Sequence, residues 1–200
     1  MNQIDNKIII KPGLGYIDLP LSKLIVKTLP FWNKLGFTPN KLTTLGLISS
    51  ILCIYYIINR NILPSILFLI LRLYFDYADG LLARKYNQVT KFGEYYDHIT
   101  DALYGISLFY VMFLTKYSNN TGNLKIKLII TFIISSILYG FNYSCIEKEY
   151  DEINKHEGLI TNYKYLCPSQ YSHILKMFDG SVFYCMLIII IYLFIKYNPK

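Results

Sequence analysis

Four aspartates, Asp76, Asp79, Asp97 and Asp101, and one arginine, Arg84, stand at helical spacing in a chain whose surroundings are largely apolar. On a helix turning about 100° per residue, Asp76, Asp79, Gly80 and Ala83 fall within roughly 60° of one another, with Arg84 at the margin. Asp97 and Asp101 are one turn apart, and Gly93 lies one turn before Asp97, so a second segment carries glycine and two carboxylates on one face. Residues 85–92 include Asn87, Gln88 and Thr90, a composition suited to a short turn between antiparallel helices. The four carboxylates are therefore expected to line one cleft.

Ionised carboxylates in or near hydrocarbon cost roughly 2.5 to 3.5 kcal/mol each, so four close together call for a compensating cation. Oxygen donors without histidine or cysteine at ligand spacing favour Mg²⁺, Mn²⁺ or Ca²⁺ over zinc. Four aspartates suffice for two such ions about 3.5 to 4 Å apart, a spacing that clamps a phosphate. Gly80, Ala83 and Gly93 would let helices or a nucleotide approach the backbone closely. The planar guanidinium of Arg84 suits phosphate oxygens.

Read as DxxDGxxAR, a spacer, then GxxxDxxxD, this stretch resembles the signature of the class I CDP-alcohol phosphatidyltransferase family, with every position filled. Thr38-Pro39-Asn40 followed by Leu42-Thr43 is similar to the start of that family's first transmembrane helix, so the resemblance covers about residues 38–115. It implies that an alcohol hydroxyl attacks the β-phosphorus of a CDP-linked donor, giving a phosphodiester and CMP. It also implies that Asp76, Asp79, Asp97 and Asp101 hold two Mg²⁺ or Mn²⁺ ions, and that Asp101 is the catalytic base. Gly80, Ala83, Arg84 and Gly93 would contact the CDP part. Phosphoryl transfer needs mainly positioning and charge neutralisation, which such a residue set can provide.

Hydrophobic residues make up 54% of the chain. Apolar runs over about 42–58, 62–83, 95–114, 126–146 and 174–195 predict an all-α integral membrane protein with about five transmembrane helices. The resembled family usually has six. A five-span chain would leave its C-terminus on the far side, and a second copy could complete the helix packing, since many of these enzymes look dimeric. With the motif side in the cytoplasm, most of the 20 Lys and Arg residues fall in cytoplasmic segments, as the positive-inside rule asks. The active site is expected to face the cytoplasm.

The division expected is an interfacial segment over residues 1–37 and a membrane domain over 38–200. The start, MNQIDNKIIIKPG, has neither the apolar length nor the small-residue cleavage site of a signal peptide. From 17 to 35, Leu21, Leu24, Ile25 and Leu29 alternate with Lys23, Lys27 and Lys34 at helical spacing, which predicts an amphipathic helix on the bilayer surface, its length limited by Pro20 and Pro30. Its basic face, with the net charge of +7, suits anionic membrane lipids, and no nucleic-acid motif competes. Residues 147–157 are expected to prolong the fourth span before Gly158 ends it.

Arg72, one turn before Asp76, is expected to pair with that carboxylate rather than to accept a substrate phosphate. His98 is turned about 100° from Asp97 and reads as a polar neighbour rather than a ligand. Cys53, Cys145, Cys167 and Cys185 have no ligand spacing and read as small apolar or free thiols. The spacer Asn87-Gln88-x-Thr90-x-Phe92-Gly93 is similar to that of phosphatidylinositol synthases, which favours CDP-diacylglycerol as donor and a soluble polyol as acceptor. Asp97-His98 resembles the choline and ethanolamine phosphotransferases, in which diacylglycerol is the acceptor. A catalytically silent protein of the same fold is the reading from outside the enzymes. A cation transporter is disfavoured, because no polar path continues through the spans beyond Arg72.

Overall fold

Apolar runs punctuated by proline, glycine and asparagine give seven α-helices among the residues that the computed structural model describes, 9–114, 123–154 and 161–197. They are α1 (Asp18–Lys34), α2 (Pro39–Ile58), α3 (Ile62–Lys85), α4 (Lys91–Phe109), α5 (Asn123–Asn154), α6 (Ser172–Leu175) and α7 (Gly180–Lys196). A π-helical turn, Tyr110–Leu114, extends α4. The described residues contain no strand.

Pro39 starts α2 at a position where its missing N–H is no loss. Arg60, in the left-handed region at φ 61°, turns the chain back so that α2 and α3 form an antiparallel hairpin. Asn87, at φ 57°, makes the corresponding turn from α3 to α4, as its short polar side chain allows. Two apolar clusters hold the bundle. Cys53, Leu69, Tyr104, Met112, Leu187 and Phe194 belong to the larger. Ile25 and Leu29 of α1 pack with Leu42, Ala78, Leu81 and Leu82 in the other.

Pro30 does not end α1 as the sequence suggests. The helix runs through it. Proline deprives the carbonyl four residues earlier of its hydrogen bond, and that carbonyl, of Val26, accepts Lys85 Nζ at 3.4 Å. Tyr74 of α3 fixes the same helix, with its hydroxyl 2.6 Å from Thr28 Oγ1 and accepting Trp32 Nε1 at 2.7 Å.

The two ends of the bundle's sequence are joined by reciprocal caps. Asp179 Oδ2 accepts the N–H groups of Ile17 (2.8 Å) and Asp18 (3.0 Å) at the start of α1, while its Oδ1 accepts Val182 N–H in its own helix. Asp18 in turn accepts the N–H groups of Gly180 (2.9 Å) and Ser181 (2.8 Å) and the Ser181 hydroxyl (2.6 Å) at the start of α7. Each buried carboxylate thus serves backbone donors at the start of the other helix that intrahelical bonding leaves unpaired.

The cysteine expectation is corrected in part. Cys145 and Cys167 form a disulfide, because α5 and the turn at Thr161–Leu166 bring their Cα atoms to 4.8 Å. Cys53 and Cys185 are free. By length and composition, α2 and α5 are candidate membrane spans, and the α6–α7 pair, bent by 56°, is a third if counted as one. Gly158, expected to end α5, lies outside the described residues.

Candidate active site

The last turns of α3 carry Asp76 and Asp79, and the middle turns of α4 carry Asp97 and Asp101. Because both helices approach the same turn, one carboxylate oxygen from each of Asp76, Asp97 and Asp101 lies within 4.8 Å of the others. Asp79 stands apart from that group. It is 4% exposed, and its Oδ2 accepts Thr43 Oγ1 of α2 at 2.6 Å. All four carboxylates nevertheless line one cavity of about 470 Å³, which also receives Tyr77, Tyr139, Tyr143 and Ser136. Three acidic groups so close, presenting only hard oxygen donors, fit a divalent cation and not a soft metal.

Arg72 reaches the same cluster, but its shorter contact is not the expected one. Its Nη2 donates to Asp101 Oδ1 at 2.6 Å, and its Nη1 is 3.7 Å from Asp76 Oδ1. His98 lines the cavity without joining the group of converging ligand atoms, as the sequence suggests.

A second cavity, of about 170 Å³, adjoins the first across Asp79, Gly80, Arg84 and Asp97. Gly80, Ala83, Arg84 and Gly93 all line it. The need for glycine at 93 is steric: a Cβ there would stand 2.8 Å from Asn40 Oδ1 and 3.0 Å from Thr90 Oγ1. Thr90 caps α4 by accepting the Gly93 N–H at 3.0 Å. At Gly80 a Cβ would stand 3.2 Å from the Arg84 guanidinium, which lies along α3 with its Nε donating to Ile9 O at 2.7 Å.

The smaller cavity is roofed by the end of α5. Lys11 pairs with Glu147, Lys164 pairs with Asp151, and Lys176 Nζ is 3.3 Å from Glu149 Oε1, so three segments distant in sequence are tied to one helical overhang. Burial pushes the Lys11 ammonium below the ordinary lysine value, against the pull of Glu147 and with the help of nearby Arg84. These roof residues escape sequence reasoning, because Lys11 and Glu147 carry no local motif and meet only through tertiary packing. Thr43 and Thr90 had weak signals, one in Leu42-Thr43 and the other in its position just before a helix.

The family model described as CDP-alcohol phosphatidyltransferase matches residues 37–196. The chain is 35% identical over 66 residues to the CDP-diacylglycerol–glycerol-3-phosphate 3-phosphatidyltransferase of Aquifex aeolicus, a match covering 33% of this chain and 37% of that protein. It is 35% identical over 76 residues to the archaetidylinositol phosphate synthase of Pyrococcus horikoshii, covering 38% and 40% respectively. The chain thus spans about two fifths of the length of these curated relatives. No solved structure matches it.

Proposed function

The chain belongs to the CDP-alcohol phosphatidyltransferase family, and on that premise we propose that it moves a phosphatidyl group from CDP-diacylglycerol to an alcohol hydroxyl, releasing CMP. The observation that carries this reading is the pair of adjoining cavities. Four carboxylates face one, while the residues matching the family's CDP positions line the other. The Aquifex aeolicus relative is named for a CDP-diacylglycerol donor, which supports the same choice.

In this reading Asp76, Asp79, Asp97 and Asp101 hold two Mg²⁺ or Mn²⁺ ions, which when bound neutralise the pyrophosphate and make its β-phosphorus electrophilic. Arg84, Gly80, Ala83 and Gly93 seat the cytidine diphosphate in the smaller cavity. Asp101 accepts the acceptor's hydroxyl proton from the larger one. The acceptor oxygen forms its bond to the β-phosphorus as the bond to the CMP oxygen breaks. The tyrosine and serine hydroxyls of the larger cavity suit a hydroxyl-rich acceptor.

The membrane setting follows from which side chains face outward. Leu63, Leu67 and Ile70 on α3 and Ile99, Leu103 and Ile106 on α4 are all at least half exposed and recur every three or four residues. Such stripes suit lipid on the two helices that the motif charges disqualify as simple apolar spans. With its 24 residues, α3 is about 36 Å long, enough to cross a hydrocarbon core. Counting α2, α3, α4 with its π-turn, α5 and the bent α6–α7 pair gives five spans. In this arrangement residues 1–37, with α1, lie on the surface, and residues 38–200 form the membrane domain. The charge distribution favours a cytoplasm-facing site, and a second copy of the chain would complete the bundle.

The test is CMP release by the purified full chain in detergent with Mg²⁺ or Mn²⁺. CDP-diacylglycerol is offered with a panel of polyols, serine and glycerol phosphate, and then CDP-choline or CDP-ethanolamine with diacylglycerol. Metal-dependent release from CDP-diacylglycerol and one acceptor is expected. Release only with diacylglycerol as acceptor would reverse the donor assignment, and no release from folded, metal-binding protein would favour a silent member of the family.

A further inference from the structure

Arg72 is 5% exposed on α3, at the edge of the carboxylate cluster, and it lines neither of the two cavities. A guanidinium within a span is retained only where other groups compensate it. Here three helices supply them. From α4, Asp101 Oδ1 accepts Nη2 at 2.6 Å and the Tyr104 ring lies 4.4 Å from the guanidinium carbon. From α7, the Tyr184 hydroxyl accepts Nη1. From α3 itself, Asp76 Oδ1 stands 3.7 Å away.

We propose that Arg72 is a positioning residue for the transfer, acting through Asp101. Its Nη2 binds one oxygen of Asp101, which leaves the other oxygen for the cavity that Asp101 still lines. The fork is itself fixed, because the Tyr104 ring and the Tyr184 hydroxyl restrain it from different helices. A lysine would carry the charge without the planar two-ended grip. The fixed positive charge also lets Asp76 and Asp101 approach before any metal binds. Arg72 lines neither of the two larger cavities, so it is placed to act on Asp101 rather than on a phosphate bound in them. Through Tyr184, α7 acquires a part in the chemistry although it carries none of the motif.

The inference rests on the reading of Asp101 as base, so the experiment includes an arm that needs no turnover. Mn²⁺ binding to the purified full chain is titrated by electron paramagnetic resonance for wild type, Arg72→Gln, Asp101→Asn and the double variant. CMP release is measured alongside for Arg72→Gln, Arg72→Lys and Tyr184→Phe. Arg72→Gln is expected to weaken Mn²⁺ binding about five-fold in the wild-type background and not at all in the Asp101→Asn background, the non-additivity of a residue acting through another. It is also expected to lower kcat about 30-fold or more with donor KM within about three-fold, and Arg72→Lys to recover part of both losses. Tyr184→Phe keeps the ring and loses the acceptor, so kcat should fall about three- to ten-fold.

Equal weakening of Mn²⁺ binding in both backgrounds, a raised KM at unchanged kcat, or a kcat within two-fold of wild type overturns the proposal. Should Arg72→Gln fail to fold, Arg72→Lys and Tyr184→Phe decide it, because normal kcat in both removes the role. A wild type that binds Mn²⁺ with the Arg72–Asp101 coupling but releases no CMP would sink the functional reading and leave the positioning intact.

Discussion

Asp97 and Asp101 sit one turn apart on α4 and are held differently. Asp101 is gripped by Arg72, whereas the Asp97 carboxylate converges on the cluster with no such arginine contact. Asp97→Asn removes a charge at constant shape, so it should lower CMP release by about 10³-fold or more while leaving membrane insertion and thermal unfolding near wild type. Transfer within ten-fold of wild type would remove Asp97 from the site. Asp101→Asn should stop turnover equally but leave CDP-diacylglycerol binding within about three-fold, a separation that nucleotide titration of the two variants can read. The aspartates and glycines were legible in the sequence because helical periodicity alone puts them on two faces. The pairing of Arg72 with Asp76 was legible too, from spacing along one helix, but its shorter bond to Asp101 was not, since only the packing of α3 against α4 brings that residue near. Thr43 was visible as part of a resemblance, but its bond to Asp79 exists only because α2 and α3 lie side by side.

At the scale of elements, the runs expected at 42–58 and 62–83 reappear as α2 and α3 with one end of each displaced, by three and two residues, because long apolar stretches bounded by proline and asparagine leave little choice. What local pattern could not supply was closure over distance. The path of α1 through Pro30 depends on a lysine from α3, and the disulfide joins residues separated by 22 positions. Removing the disulfide by Cys145→Ser with Cys167→Ser should destabilise the fold by about 3 kcal/mol, as expected for a loop of that length, seen as a lower unfolding temperature in detergent. An unchanged temperature would mean the bond does not form in the protein as expressed. Asp179→Ala strips acceptors from Ile17, Asp18 and Val182 at once and should cost about 3 kcal/mol, with Asp179→Asn recovering part of it. If the alanine variant unfolds within a degree of wild type, the caps are not what joins α1 to α7.

For the whole molecule, the proposed topology puts the C-terminal end of α1 and the α2–α3 turn on opposite sides of the membrane. In a chain with Cys185→Ser, Lys34→Cys should react with an impermeant maleimide only from the cytoplasmic side and Asn61→Cys only from the other. Reversed labelling would overturn the orientation, and labelling of both from one side would remove α2 as a span. The aspartate pair that joins α1 and α7 also sets a timetable. Asp18 is synthesised long before Gly180 and Ser181, so its bonds across to α7 can form only once α7 has been made. The same bonds anchor the α1 end of the segment whose Ile9 and Lys11 meet Arg84 and Glu147. In the proposed topology, a nascent chain with four spans inserted would hold all four aspartates yet lack that last tether, and the proposed nucleotide cleft would be completed late in biogenesis.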